Sequence, residues 1–230
     1  MVVPPSGVLA ATALGIYEAH GERMSIMVVV AGPRTRELAR VRVEDELTVL
    51  GPLGNGFFLN DLSGRVDIVA GGVGLASVLT AAQAVVAAGV RCRLLYGARN
   101  VAALVDRELF IRSGAEVVCA TDDGSYGHHG FVTDLLRDGT PASVILACGP
   151  GPMLRSVDRI VREIHVPAQL SLEEHFACGV GACWGCTVPV DRASAQAPSF
   201  PPSAGEETRT YVHARVCKEG PVFWAHDLRW

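Results

Sequence analysis

No apolar stretch in the 230 residues approaches the ~20 needed to cross a bilayer as a helix, so a membrane-spanning role is not expected. Positive charge is not in excess either: 20 Lys and Arg stand against 24 Asp and Glu. A net charge of −4 and a pI near 6.0 give the wrong sign for a nucleic-acid or anionic-lipid surface. The opening Met1-Val-Val-Pro-Pro-Ser6 lacks a basic segment leading into an apolar core, so no secretory signal is expected. Without one, the 7 cysteines are expected as thiols in a reducing cytoplasm, not as a disulfide framework. No residue reads as a general acid or base for a small-molecule substrate. What is present, 49% hydrophobic and 19% charged, is a chain with material for one large or two modest compact domains.

Four of the cysteines organise the rest. Phe176-Ala-Cys-Gly-Val-Gly-Ala-Cys-Trp-Gly-Cys186 has C-x4-C-x2-C spacing, and Cys217 follows in Arg-Val-Cys-Lys-Glu-Gly-Pro221. This is the plant-type spacing for a two-iron, two-sulfur cluster, with Cys178, Cys183, Cys186 and Cys217 as ligands. Glycines 179, 181 and 185 suit a loop wrapped closely around sulfur, where backbone N–H groups must approach the ligands. Structural zinc, which favours two C-x2-4-C pairs or a pair with histidines, fits this triplet poorly. A cluster moves electrons singly, so the remaining chain is expected to supply or accept them. Trp184, between two ligands, is expected to shield the cluster. Cys92 and Cys119 lie in apolar strand-like runs and read as buried and inert.

Residues 65–172 alternate strand and helix: strands at 66–70, 91–96, 115–120, 143–148 and 168–172, helices at 75–88, 101–112, 131–137 and up to 164. That pattern predicts a doubly wound parallel sheet with helices on both faces, whose ligands bind outside the carboxyl ends of the strands. Three loops lie at that edge. Gly71, Gly72 and Gly74 let backbone approach a pyrophosphate. Thr121, Asp122 and Asp123 supply acceptors and a tight turn. Cys148, Gly149 and Pro150 bring a thiol and bare backbone to a nicotinamide ring. His128 and His129 read as surface loop residues.

Residues 1–64 offer only three β-leaning runs, at 8–19, 24–31 and 46–50, then the turn-rich Gly51-Pro-Leu-Gly-Asn-Gly-Phe-Phe58. These are too few to close a barrel, and an N-terminally incomplete β-barrel is the expectation. Ala31-Gly-Pro-Arg-Thr35 opens a short helix, read either as an anion seat or as an ordinary turn capped by Thr35. Residues 173–230 form a tiny third domain, expected to be held largely by its metal, with a mobile insertion at 191–209 rich in Ala, Pro, Ser and Glu.

The chain resembles the electron transfer subunits of the class B dihydroorotate dehydrogenases, within the ferredoxin-reductase superfamily. The residues that carry the likeness are Gly51-Pro-Leu-Gly-Asn-Gly-Phe57, Gly71-Gly-Val-Gly-Leu-Ala76, Leu95-Tyr-Gly-Ala-Arg-Asn100, Thr121-Asp-Asp-Gly-Ser125, Ala147-Cys-Gly-Pro150, Ser171-Leu-Glu-Glu through Cys186, and Val216-Cys-Lys-Glu-Gly-Pro-Val-Phe223. The resemblance implies a flavin-binding antiparallel barrel, a nicotinamide-nucleotide domain and a small C-terminal 2Fe–2S domain. It also implies the cofactors FAD, NAD(H) and the cluster, with cofactor contacts at Gly32, Thr35, Gly54 and Asn55 in the barrel. Its partner would be an FMN-type catalytic subunit that interconverts dihydroorotate and orotate in pyrimidine biosynthesis, within a hetero-oligomer. The chain departs from the pattern in the barrel. Ala13-Leu-Gly-Ile16 stands in place of an Arg-Pro-x-Ser-type segment, Val28-Val29 in place of an aromatic–arginine pair, and Arg34-Thr35 in place of Gly-Thr. Two alternatives stay open: a reductase subunit for another partner of hydrogenase or glutamate-synthase type, and a flavin-less homologue that only docks or senses redox state. Arg99, after the second strand, leaves NADH against NADPH undecided, with NADH the lean.

Overall fold

The computed structural model describes residues 1–3, 11–138, 140, 142–194, 196–197 and 209–230. Along the chain the first elements are β1 (Val2–Val3), β2 (Ile16–His20), β3 (Arg23–Ile26), α1 (Pro33–Leu38) and β4 (Thr48–Val49). Then come β5 (Arg65–Gly71), α2 (Leu79–Ala87), β6 (Arg91–Ala98), α3 (Arg107–Arg112), β7 (Glu116–Thr121) and β8 (His128–His129). The last are β9 (Val144–Cys148), α4 (Gly151–Ile164), β10 (Ala168–Ser171), β11 (Thr187–Asp191), β12 (Tyr211–Arg215) and β13 (Val222–Trp224).

β5 is central because both of its faces are apolar. Val66, Ile68 and Ala70 pack with Leu79, Val85 and Phe110 on one side, while Val69 points into the opposite core with Leu154, Val157, Ile160 and Val161 of α4. A fully buried aliphatic side chain of this kind contributes about 1.5–3 kcal/mol, so the alternation along one strand glues both helical layers to the sheet. The sheet order is β13-β10-β9-β5-β6-β7-β8, parallel throughout except for antiparallel β13. The chain fills it outward from β5 through β6 and β7, then returns to lay β9 and β10 on the other side. The strand order therefore reverses between β5 and β9, where such sheets bind ligands.

Several sequence expectations change in detail. The helix expected over 75–88 is a 3-10 turn at Gly72–Ser77 followed by α2, because the glycine turn packs tightly on β9. The helix expected over 101–112 breaks at Asp106, which adopts φ 53° between a 3-10 turn at Val101–Ala103 and α3. Asp106 Oδ2 there accepts a 2.8 Å hydrogen bond from the Tyr17 hydroxyl, 89 residues away. The short helix at 131–137 is a 3-10 turn, Val132–Arg137. His128 and His129 are exposed, as expected, but form the edge strand β8.

Of the run 8–19, residues 4–10 lie outside the described residues, and the strand begins at Ile16. The other two runs shorten to β3 and β4. Among the described residues these pieces form two separate antiparallel ladders, β1–β4 and β2–β3.

The cluster segment differs most. Metal was the main support expected, and Val188, Val190, Ala214, Val216, Phe223 and Leu228 add one apolar core shared with α4. β13 also extends the nucleotide sheet, pairing Gln169 with Trp224 and Ser171 with Val222. Most of the insertion expected at 191–209, namely 195 and 198–208, lies outside the described residues. No helix among the described residues is long and apolar enough to cross a membrane.

Candidate metal centre and nucleotide edge

A ladder brings two of the four cysteines together and a tight loop brings the other two. β11 starts directly after Cys186, β12 ends two residues before Cys217, and the antiparallel register opposes Thr187 to Arg215. The ladder continues one step further, with Val216 N donating to the Cys186 carbonyl at 2.9 Å and Cys217 N to Cys186 Sγ at 3.5 Å. The 30 residues between these ligands therefore matter little to their geometry, since closure entropy grows slowly with loop length. Within the loop, Ala182 N and Cys183 N donate to Cys178 Sγ at 3.3 and 3.4 Å, and Gly185 N donates to Cys183 Sγ at 3.4 Å. Gly179 and Gly181 both take positive φ, and both are packed so closely that a Cβ would collide, with Met1 and Lys218 respectively.

The amide hydrogen bonds set the sulfur electrostatics. Backbone N–H groups of Val180 and Cys183, with the Cys183 side chain, hold the Cys178 thiol down to about 6, so it is a thiolate at neutral pH. Burial, with the hydrogen bond to Cys186, pushes Cys217 up to about 11. The sulfurs thus associate as two pairs, Cys178 with Cys183 and Cys186 with Cys217. Among the described residues no three His, Cys, Asp or Glu side chains gather as ligands of one metal ion. Two pairs suit a two-iron cluster, which takes two thiolates for each iron. None of the seven cysteines is in a disulfide.

At the switch point the two glycine turns are in backbone contact. A Cβ on Gly74 would lie 2.3 Å from the Cys148 carbonyl oxygen, and one on Gly149 would lie 3.0 Å from the Gly71 Cα. Gly72, at φ 53°, faces open space. Gly71, Gly72, Gly74, Cys148, Gly149 and Pro150 are therefore gathered into one bare backbone cradle. Burial pushes the Cys148 thiol up to about 11, which keeps it neutral. At the end of β7, Thr121 is buried and its hydroxyl donates to the Tyr126 carbonyl while accepting from Tyr126 N. The Asp123 carboxylate accepts from the Ser125 hydroxyl and amide, and these bonds hold it below the usual range. Thr121 and Asp123 shape the turn, and Asp122 beside them is exposed.

The barrel candidates lie in two places. Thr35 Oγ1 accepts from Ala31 N and Gly32 N at 3.0 and 3.1 Å, so it caps α1, while a Cβ on Gly32 would meet open space. Asn55 Nδ2 donates to the Glu219 and Val222 carbonyls at 2.9 and 3.1 Å, and its Oδ1 accepts from Val222 N at 3.0 Å. Gly54, at φ 70°, lies against Gly220. Both residues fasten the 51–58 loop to the turn that follows Cys217. The neighbouring Phe58 exchanges two hydrogen bonds with Gln169 and stacks on Trp224.

Residues 173–197 match the model of the iron-sulfur cluster binding domain of dihydroorotate dehydrogenase B. The chain is 36% identical to the dihydroorotate dehydrogenase B (NAD(+)) electron transfer subunit of Caldanaerobacter subterraneus, over 90% of this chain and 76% of that one. It is 38% identical to the corresponding subunit of Geobacillus thermodenitrificans, over 86% and 70%. The chain belongs to the dihydroorotate dehydrogenase B electron transfer subunits. Among solved structures it is similar to the NADH-dependent reduced ferredoxin-NADP oxidoreductase, with TM-score 0.77 and 28% identity over 94% of this chain and 73% of that one. The ferredoxin reductase of carbazole 1,9a-dioxygenase shares the fold, with TM-score 0.53 and 20% identity over 66% and 51%.

Within this family setting, Cys178, Cys183 and Cys186 fall inside the matched stretch and Cys217 outside it. The unusual segment at 13–16 has a structural counterpart: a Cβ on Gly15 would lie 2.6 Å from Ser77 Oγ, so this segment packs directly onto the glycine turn. Sequence reasoning missed Arg215 and Glu219, which flank Cys217 at a spacing of four and form a largely buried ion pair. Their spacing around the fourth ligand was the available signal.

Proposed function

We propose that this chain is the reductase half of a dihydroorotate dehydrogenase: it exchanges electrons with a nicotinamide nucleotide at the β5–β9 edge and passes them singly, through a cluster on Cys178, Cys183, Cys186 and Cys217, to a catalytic partner subunit. Bound FAD supplies the step between a two-electron hydride donor and the one-electron cluster. The observation that carries this reading is the pairing of the four sulfurs, each pair with backbone amides aimed at sulfur.

The chain's own residues divide the work. Gly71, Gly72 and Gly74 present bare backbone to a pyrophosphate, where a side chain at position 74 would strike β9. Cys148, buried and neutral, offers an uncharged contact suited to a nicotinamide or flavin ring. Asp122 and Asp123 face solvent beyond β7 as acceptors for ribose hydroxyls, and two carboxylates there oppose an added 2′-phosphate. For FAD, residues 29–32 fit: Val29 and Val30 are 55% and 52% exposed, and the Gly32 backbone is uncovered beside them. The three-part division at 1–64, 65–172 and 173–230 is kept as a functional one, the last two sharing a core.

The test is anaerobic purification, alone and coexpressed with a dihydroorotate-oxidising subunit. The expected result is 2Fe–2S absorbance, FAD in stoichiometric amount and bleaching by NADH. Absence of cluster from every preparation would overturn the reading. Cluster without flavin would favour a homologue that only docks or senses redox state. The likeness to the NADH-dependent ferredoxin-NADP oxidoreductase favours one other reading, a reductase subunit with a different partner. Failure to assemble with the dihydroorotate-oxidising subunit would select it.

A further inference from the structure

Arg215 ends β12 two residues before Cys217 and is only 5% exposed. Its Nε and backbone N donate to Glu219 Oε2 at 3.0 and 2.7 Å, and its Nη2 donates to Oε1. The remaining arm, Nη1, donates at 2.7 Å to the carbonyl of Gly181, midway between Cys178 and Cys183. Its guanidinium also lies 4.5 Å from the centroid of the Trp184 ring. One side chain therefore grips the ligand loop on either side of Cys183 and reaches the turn of the fourth ligand through Glu219. Trp184 sits at φ 59°, a conformation that a non-glycine residue keeps only where its surroundings hold it.

Stability alone does not account for the pair. Moving two ions out of water costs about as much as their attraction returns, and an apolar pair of similar volume would do as well. A redox centre gives the charges a use. An electron arriving at the four-thiolate site adds one negative charge, and it leaves again for the partner with no bond made or broken in this chain. A fixed cation beside the site favours the electron-rich state and a fixed anion opposes it. The Arg215 guanidinium and the Glu219 carboxylate form a two-point fork that fixes both charges in place on either side of Cys217.

We propose that Arg215 and Glu219 set the reduction potential of the cluster: Arg215 shapes the ligand loop and raises the potential, and Glu219 limits that rise. Both are positioning residues. The inference rests on the cluster assignment made above, and the experiment separates the two. Redox titration followed by electron paramagnetic resonance is performed on anaerobically purified holoprotein, comparing wild type with Arg215→Gln, Arg215→Lys and Glu219→Gln. Arg215→Gln should shift the midpoint negative and Glu219→Gln should shift it positive. Arg215→Lys, which keeps the charge but not the fork, should fall between wild type and Arg215→Gln. A purely structural role does not produce shifts of opposite sign.

Wild type without a 2Fe–2S signal would defeat the cluster assignment itself. Wild type with a normal signal, but unchanged midpoints or shifts of one sign, would overturn the present inference alone. If Arg215→Gln fails to assemble a cluster, Glu219→Gln against wild type decides. Loss of the cluster from all three variants would make the pair a packing support and would also overturn it.

Discussion

The nucleotide sheet and the cluster loop lie against each other and are built on different forces. In β5 every residue from Val66 to Gly71 is buried, and the strand is held by what it removes from water. In residues 176–186 only Gly179, Gly181 and Cys186 are buried, while Val180 and Trp184 are 46% and 40% exposed. That loop is held by amides pointed at sulfur, by glycines in conformations other residues avoid, and by one arginine. The first kind of structure tolerates exchange among apolar residues of similar size. The second tolerates almost none, because each contact is directional.

The contrast is open to direct attack, and the largest effect should come from a ligand. Cys217→Ser should abolish the visible absorbance of the cluster altogether while far-ultraviolet circular dichroism stays close to wild type, because the sheet and its core do not depend on metal. A collapse of the whole dichroism spectrum would show the two regions to be one cooperative unit. Next in size is the converse change. Ile68 is fully buried, and Ile68→Ala should cost about 2–5 kcal/mol in denaturant unfolding. Cluster absorbance of the folded variant should be unchanged below the transition.

A smaller loss should follow Asn55→Ala. It removes the amide that joins the 51–58 loop to Glu219 and Val222 and leaves partly buried backbone groups unpaired, at about 1–3 kcal/mol. Proteolysis or hydrogen exchange should show this loss confined to residues near 51–58 and 217–222. The subtlest test is chemical. Iodoacetamide at pH 7.5 should modify Cys178 in the apo chain, since hydrogen bonding holds its thiol at about 6. Cys148, buried and at about 11, should stay unmodified until the chain unfolds. Mass mapping of the labelled peptides checks the order, and labelling of Cys148 before Cys178 would contradict it.

The same division explains what could be read from the sequence. Strand β9 is a continuous apolar run, so burial on both faces wrote it plainly. The cluster ligands were legible because chemistry fixes their spacing. The break at Asp106 was not, because its cause is a tyrosine on a different sheet. Asn55 read as part of a turn-rich loop, and the carbonyls it bonds lie 164 and 167 residues away. Arg215 and Glu219 resemble an ordinary surface pair at a spacing of four, and only the fold reveals that they are buried beside sulfur. The short ladders of residues 1–64 were the hardest to bound. Apolar residues beside them, such as Val29, Val30 and Leu50, remain half exposed and give no clean alternation.

The antiparallel strand β13 leaves the cluster segment only to lie down beside β10, and β10 is bonded to β9, whose last residue is Cys148. Electron tunnelling slows steeply with every added ångström between donor and acceptor. A chain of strands bonded edge to edge therefore acts as a ruler, fixing the gap between the nucleotide edge and the sulfur ligands. With that separation built into the sheet, distance is the one quantity the chain holds constant, and what is left to vary is the driving force and the arrival of nucleotide and partner at the two ends.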